Sequence, residues 1–359
     1  MYIDLIINSI VPIITLFVLL LGVSFFWPRV SILFNFNKYD SLHKIHEKEI
    51  PKVGGILIIL FILFLLIHNN KFDNFFLSLF ISSIPLVFIG AKEDLFHNTS
   101  PLQRLLSMLI SVSIFFLILP IHFPSIEIPI LNIFFQSYFF QFIFFCFSSL
   151  VIINGMNLID GANGLMPCSA IMQLASIIFL SSVYNDLEIF NISIVFLLPL
   201  VIFLFFNYPA GKIFMGDLGA YFYGFSISLL IIYFFSRHPD LLSWSAILIL
   251  FYPSIELLTS FIRKKFFENK SPMAPDLRHF HSLVYYLIKQ KLIRSKISNN
   301  FVLLSMIPFW FFPFVCILLF YNSLNLLLIS ILLLTIFYLS IYLFLFSKIP
   351  FNEISKKIK

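Results

Sequence analysis

The polar side chains that could do chemistry fall into five short clusters. Lys52 sits in HEKEIPKVGG, just before Gly54 and Gly55, and Glu93 stands beside Asp94 in KEDLFHNTSPLQRLL. Asn154, Asn157, Asp160 and Asn163 recur every third residue in NGMNLIDGANGL, a spacing that keeps them on one helical face or its continuation. Asn207, Lys212, Phe214 and Asp217 lie in NYPAGKIFMGDLGAYFYG, and Asp276, Arg278, His279 and His281 in SPMAPDLRHFHSL. Carboxylates and carboxamides are hard oxygen donors suited to Mg2+, an ion that keeps waters and binds substrate phosphates. Lys52, Lys212, Arg278 and the two histidines offer charge or hydrogen bonds to phosphate oxygens. Phosphoryl transfer needs mainly positioning and charge neutralisation, and this inventory offers both.

Each cluster also has an ordinary structural explanation. Glu93 and Asp94 could be a solvated loop pair, and His279 and His281 plain loop histidines. Asp160 is harder to dismiss, because it follows the apolar run 130–153. A carboxylate at such a place costs a few kcal/mol unless it is paired or coordinated.

The elements that must position these groups are membrane helices. Of 359 residues, 60% are hydrophobic and 11% charged, against about a quarter charged in a soluble domain. Continuous apolar runs predict eleven helical spans, near 7–27, 53–69, 75–91, 105–121, 130–153, 165–184, 190–208, 218–236, 241–262, 299–320 and 324–346. A membrane β-barrel would instead alternate over about ten residues per strand. Asp4 is the only charge before residue 27 and Arg29 follows the first run. The first run therefore reads as a retained span rather than a cleavable signal peptide, with the N-terminus outside. Eleven crossings then leave only Lys71 and Arg237, of 23 Lys and Arg residues, outside the inside loops. Basic loops stay cytosolic, so the asymmetry supports this topology and puts all five clusters at one membrane face. The net charge of +6 accordingly reports topology and anionic headgroups, with no nucleic-acid partner.

The expected fold is an all-α integral membrane protein with about 11 transmembrane helices and its site in cytosolic loops. It forms a single domain over 1–359, with the site loops within about 43–282. Cys146, Cys168 and Cys316 lie in or beside spans without paired spacing, so neither a disulfide framework nor a zinc site is expected. No HExxH motif supports an intramembrane zinc protease. The DGANG stretch lacks the arginine that a CDP-alcohol transferase signature needs. The remaining alternative is a polytopic transporter or lipid flippase, which would place its polar groups near the midplane on broken helices.

In their order along the chain, IPKVGG, the acidic pair with Arg104 ten residues after Asp94, NGMNLIDGANGL, NYPAGKIFMGDLGA and PDLRHFH resemble one family. That family is the polyprenyl-phosphate N-acetylhexosamine-1-phosphate transferases of glycosyltransferase family 4. The match covers about residues 50–282, and SPMAPDLRHFHSL looks more like the N-acetylglucosamine and O-antigen-initiating branch than the peptidoglycan branch. The resemblance implies transfer of a sugar-1-phosphate from a UDP-N-acetylhexosamine to undecaprenyl phosphate, with release of UMP, at a bacterial inner membrane. The sugar would be N-acetylglucosamine or a deoxy-hexosamine, and the product would start a lipid-linked surface polysaccharide.

Carried onto this chain, the resemblance implies that Asp217 and Asn157 hold Mg2+, with Mn2+ as a substitute. Asp94, with Glu93 beside it, would deprotonate or position the lipid phosphate. Asp160, Asn207 and Phe214 would meet the uridine. Lys52, Arg278, His279 and His281 would bind phosphate or sugar. Membrane lipid is an expected partner, and a homodimer is left open. Glu93 stands where the family usually has aspartate, Asn163 where many members have aspartate, and Ser282 where another histidine is common.

Overall fold

The computed structural model describes residues 9–34, 50–69, 73–121, 123, 126–272, 276–291 and 295–349. Residues 35–49, Lys71 and the C-terminal residues 350–359, all used in the charge asymmetry, lie outside the described residues.

Every described element is helical: α1 (Ile10–Phe34), α2 (Gly54–His68), α3 (Asn74–Phe96), α4 (Pro101–Ile118), α5 (Pro129–Phe135), α6 (Tyr138–Ile159), α7 (Leu165–Val183), α8 (Leu187–Asn207), α9 (Gly216–Arg237), α10 (Trp244–Ile249), α11 (Phe251–Ile262), a π-helical turn Arg263–Phe267, α12 (Phe280–Lys291), α13 (Ser295–Ser305), α14 (Ile307–Trp310), α15 (Phe312–Phe320) and α16 (Leu324–Lys348). Among the described residues, eight helices are long and apolar enough to cross a bilayer, or nine if the pair bent by 51° at residues 305–307 is one span. The chain is a multi-pass membrane protein.

Each of the eleven predicted runs falls on helix, and the difference in count comes from three of them. Run 53–69 yields only the 15-residue α2. Run 241–262 divides at Leu250 into α10 and α11, with Pro253 in the first turn of α11. Proline has no N–H to donate to the preceding turn, so a helix breaks there. Run 299–320 bends just before α14, which Pro308 opens.

Local chemistry sets the helix starts. Gln103 N–H donates to Ser100 Oγ (3.2 Å) and Ser100 N–H to Gln103 Oε1 (3.0 Å), a reciprocal cap in front of Pro101. Asp73 accepts from Phe76 N–H (3.0 Å) and Asp186 from Ile189 N–H (3.1 Å), which caps α3 and α8.

Helix α9 is the axis of the molecule: 89% of its span is buried, against 17% for α1. It packs on α2, α3 and α6, and each crossing uses a glycine. A Cβ on either Gly55 or Gly219 would strike the other's Cα at the α2–α9 crossing, Gly90 meets the Leu218 backbone at α3–α9, and Gly224 meets Ile153 at α6–α9. In lipid, helices associate by close van der Waals packing, and small residues permit that approach. These crossings bring the start of α9 to the ends of α3 and α6.

Candidate active site

The centre of the site is the first turn of α9. A helix leaves its first N–H groups without internal partners, and Met215 offers α9 no side-chain cap. Asp94, from the last turn of α3, supplies it: Oδ1 accepts Asp217 N–H (2.9 Å) and Oδ2 accepts Leu218 N–H (3.0 Å). Gly216 makes the turn at φ +80, and a Cβ there would strike the Asp94 carboxylate. Both backbone and space therefore demand glycine at 216.

The cap aims Asp217 into a shared polar space. Its Oδ1 accepts Asn157 Nδ2–H (3.0 Å) and its Oδ2 accepts the Tyr221 hydroxyl (3.3 Å), with Arg104 Nη1 at 3.8 Å. Asp217 and Arg104 remain 27% and 28% exposed, so the space is open. Asp160 ends α6 half-buried beside them. Burial first, then the negative charges of Asp217 and Asp94, push its carboxyl well above the usual carboxylate range, with Lys52 opposing.

A backbone ladder and a ring contact bring in the remaining segments. Phe214 N–H donates to Pro51 O (2.9 Å), Gly54 N–H to Phe214 O (3.0 Å) and Gly55 N–H to Met215 O (2.9 Å). They lay the IPKVGG run along KIFMGD, with Lys52 exposed and Phe214 half-buried. From the other side, the His281 ring lies against Gly161, one residue after Asp160. His281 stacks with His279 at 5.8 Å between centroids and 9° between planes.

Residues 76–235 match the model of Glycosyl transferase family 4. That segment contains Asp94, Asn157, Asp160, Asn207, Phe214 and Asp217. The chain is also similar to a probable undecaprenyl-phosphate N-acetylglucosaminyl 1-phosphate transferase of Bacillus subtilis (strain 168), 25% identical over 256 residues and 70% of either chain. An undecaprenyl-phosphate alpha-N-acetylglucosaminyl 1-phosphate transferase of Thermotoga maritima is 29% identical over 310 residues, covering 83% of this chain and 94% of the relative.

Within and around the matched segment, the residues singled out in the sequence separate into two groups. Asp94, Asn157, Asp160 and Asp217 converge with Lys52 nearby, and His281 adjoins them. Others are spent on the frame. Asn207 is 3% exposed; its Oδ1 accepts Gly164 N–H (2.6 Å) and its Nδ2 donates to Ile213 O (3.0 Å), joining two loops. Glu93 Oε2 accepts Thr99 N–H (3.0 Å) and the Thr99 hydroxyl, closing the turn after α3. The longer glutamate serves this brace. Arg278 binds Glu268 (2.9 Å) and covers the Phe346 ring, and Asp276 pairs with Arg263. In the Asn/Asp row, Asn154 turns back to Leu150 O (2.8 Å), and Asn163 packs against Gly211 with its N–H on Asn299 Oδ1 (3.3 Å).

Three further polar residues gain roles only from the structure. Arg104, ten residues after Asp94, faces Asp217. Tyr221 follows Asp217 by four residues, one helical turn, which is a readable signal. Glu256, a single carboxylate inside the apolar run 241–262, is the clearest signal of this kind in the sequence.

Proposed function

We propose that this chain transfers a sugar-1-phosphate from a UDP-N-acetylhexosamine to undecaprenyl phosphate at the cytosolic face of a bacterial inner membrane. A phosphate oxygen of the lipid attacks the phosphorus that carries the sugar. The bond from that phosphorus to the UMP oxygen breaks, giving undecaprenyl-diphospho-sugar and UMP. The observation that carries the reading is the convergence of Asp94, Asp160 and Asp217, from three segments far apart in sequence, in one open polar space. The names of the two relatives support the reaction class and make N-acetylglucosamine the first sugar to test.

The residues present suit a divalent ion. Three carboxylates crowd together with Lys52 and Arg104 as the neighbouring cations, and Asp217 with the Asn157 carboxamide forms an oxygen donor pair. Among the described residues no group of three His, Cys, Asp or Glu is placed to hold a metal alone. An ion that keeps its waters and draws other ligands from substrate phosphates needs no such cage. Asp217 and Asn157 would hold Mg2+, or Mn2+ in its place, which supplies neutralisation of diphosphate charge.

The protein's own groups do the rest. Asp94 spends both oxygens on α9, which seats Asp217 and favours direct attack over a covalent aspartyl step. Lys52, Arg104 and His281 surround the space with positive or hydrogen-bonding groups for phosphate oxygens. Phe214 offers a ring face to uracil. The test is incubation of purified protein with undecaprenyl phosphate and a panel of UDP-sugars, reading UMP and lipid product mass. UMP release that requires the lipid acceptor is expected; no release with any UDP-N-acetylhexosamine would remove the reading.

A further inference from the structure

Glu256 is 1% exposed on α11, within an otherwise apolar segment, and such a carboxylate must find its partners inside the protein. Its partners come from two other helices. Oε1 accepts the N–H of Phe280 (2.8 Å), the first residue of α12, and Oε2 accepts the Tyr338 hydroxyl of α16 (2.9 Å). His279 Nδ1 stands 3.6 Å from Oε1. Phe280 is the residue between the two histidines, so the carboxylate grips the backbone where both imidazoles leave it. It also satisfies an orphan amide at a helix N-terminus, where negative charge is favoured. Asp94 does the same for α9. The fold thus uses one device twice, an acid on one helix capping the start of another that carries a site residue.

We propose that Glu256 is a positioning residue: it caps α12 and holds the stacked His279–His281 pair against the Gly161 turn, and turnover depends on it through those histidines. The proposal deepens the transferase reading and rests on it. His281 is 4% exposed and packed on Gly161, beside Asp160, so a shift in the α12 backbone moves an imidazole at the edge of the carboxylate space. Tyr338 is fully buried and fixes the far side of the carboxylate.

The test is a mutant cycle on the full-length protein in detergent, reading UMP release. Glu256→Gln is expected to lower kcat/KM about 10–100-fold, the usual cost of losing a partner that orients a site residue. The His279→Ala/His281→Ala protein should lose at least as much, and adding Glu256→Gln to it should cost no more than about twofold. Losses that multiply, or a Glu256→Gln protein as active as wild type, would overturn the proposal. If Glu256→Gln does not fold, Tyr338→Phe enters the same cycle with a smaller expected loss and the same required coupling. A second measurement needs no turnover: carbethoxylation of His279 and His281 by diethyl pyrocarbonate should be several-fold faster in Glu256→Gln, or in Tyr338→Phe, and an unchanged rate overturns the proposal. Wild-type protein that releases no UMP would sink the transferase reading alone, with the modification rates still deciding the role of Glu256.

Discussion

Two acidic regions of this molecule treat charge in opposite ways. Around Asp217 three carboxylates gather in a half-open space with few cations near them. Around Asp276 the acids are matched. Arg263, 5% exposed, reaches Asp276, Glu268 (2.5 Å) and the Tyr342 hydroxyl (2.7 Å), while Arg278 takes the same Glu268 oxygen and Lys264 approaches Asp276 at 4.0 Å. A network whose charges are already paired is a frame. Like charges gathered close together, with only Asp94 held by backbone amides, repel one another, and perturbed carboxylates of this kind mark functional sites. Acid count alone would not separate the two regions; what each carboxylate touches does.

The largest expected effect tests that distinction directly. Asp217→Asn should leave less than about 0.1% of wild-type UMP release with thermal stability little changed, and EDTA should do the same until Mg2+ or Mn2+ is returned. An active Asp217→Asn protein, or a chelator-insensitive wild type, would break the comparison. Asp94→Asn should lose activity and melting temperature together, because an amide NH2 cannot accept both α9 amides; full stability in that variant would detach Asp94 from the cap. Arg263→Ala should act on the opposite region and cost about 3–5 kcal/mol in unfolding free energy, the penalty of stranding buried acids. A drop no larger than that of Asp217→Asn would show that the network is not a frame.

The pH dependence should have opposite signs in the two regions. Burial alone would raise Asp276, but His279, Arg263 and Lys264 outweigh it and hold the carboxyl below its ordinary range. Its contribution is complete above the unfolded value near 3.8 and is lost as pH falls through the folded one. Asp160, raised in the fold, costs stability as pH rises from its unfolded value through its folded one. Asp160→Asn should therefore raise the melting temperature at neutral pH and leave it unchanged in acid, as melting curves across pH would show. The smallest effect is expected at the brace: Glu93→Asp should keep UMP release within about tenfold of wild type, since only a loop hydrogen bond is stretched. A loss as deep as that of Asp217→Asn would put Glu93 among the groups that meet substrate.

Much of this architecture was legible because hydropathy and motif order are strong signals in a membrane chain. All eleven apolar runs fall on helix, and the convergent residues Asp94, Asn157, Asp160 and Asp217 all came from the quoted motifs. The breaks at Leu250 and between α13 and α14 were not seen, because a hydropathy sum does not register where Pro253 and Pro308 remove a donor. The division of labour was hidden for another reason. Asn207, Arg278 and Glu93 carry the same functional groups as the convergent residues, and only three-dimensional neighbours reveal the bonds that tie them into the frame. Arg237, an exception to the basic-inside pattern, meets Asp186 (2.7 Å) and Glu188 (2.9 Å) where α8 begins and α9 ends, at the opposite end of α9 from the site. Local acids there offset its charge.

The contact of Gly55 with Gly219 leaves no room for even one methyl group between α2 and α9, and Asp217 lies only two residues before it. Alanine at either glycine would act as a wedge, tilting the aspartate away from its partners while leaving every reactive group intact. Random mutagenesis scored by lost activity should therefore recover silent-looking hydrogen-to-methyl changes in the first turns of these two helices. Their phenotypes would imitate those of the acids themselves.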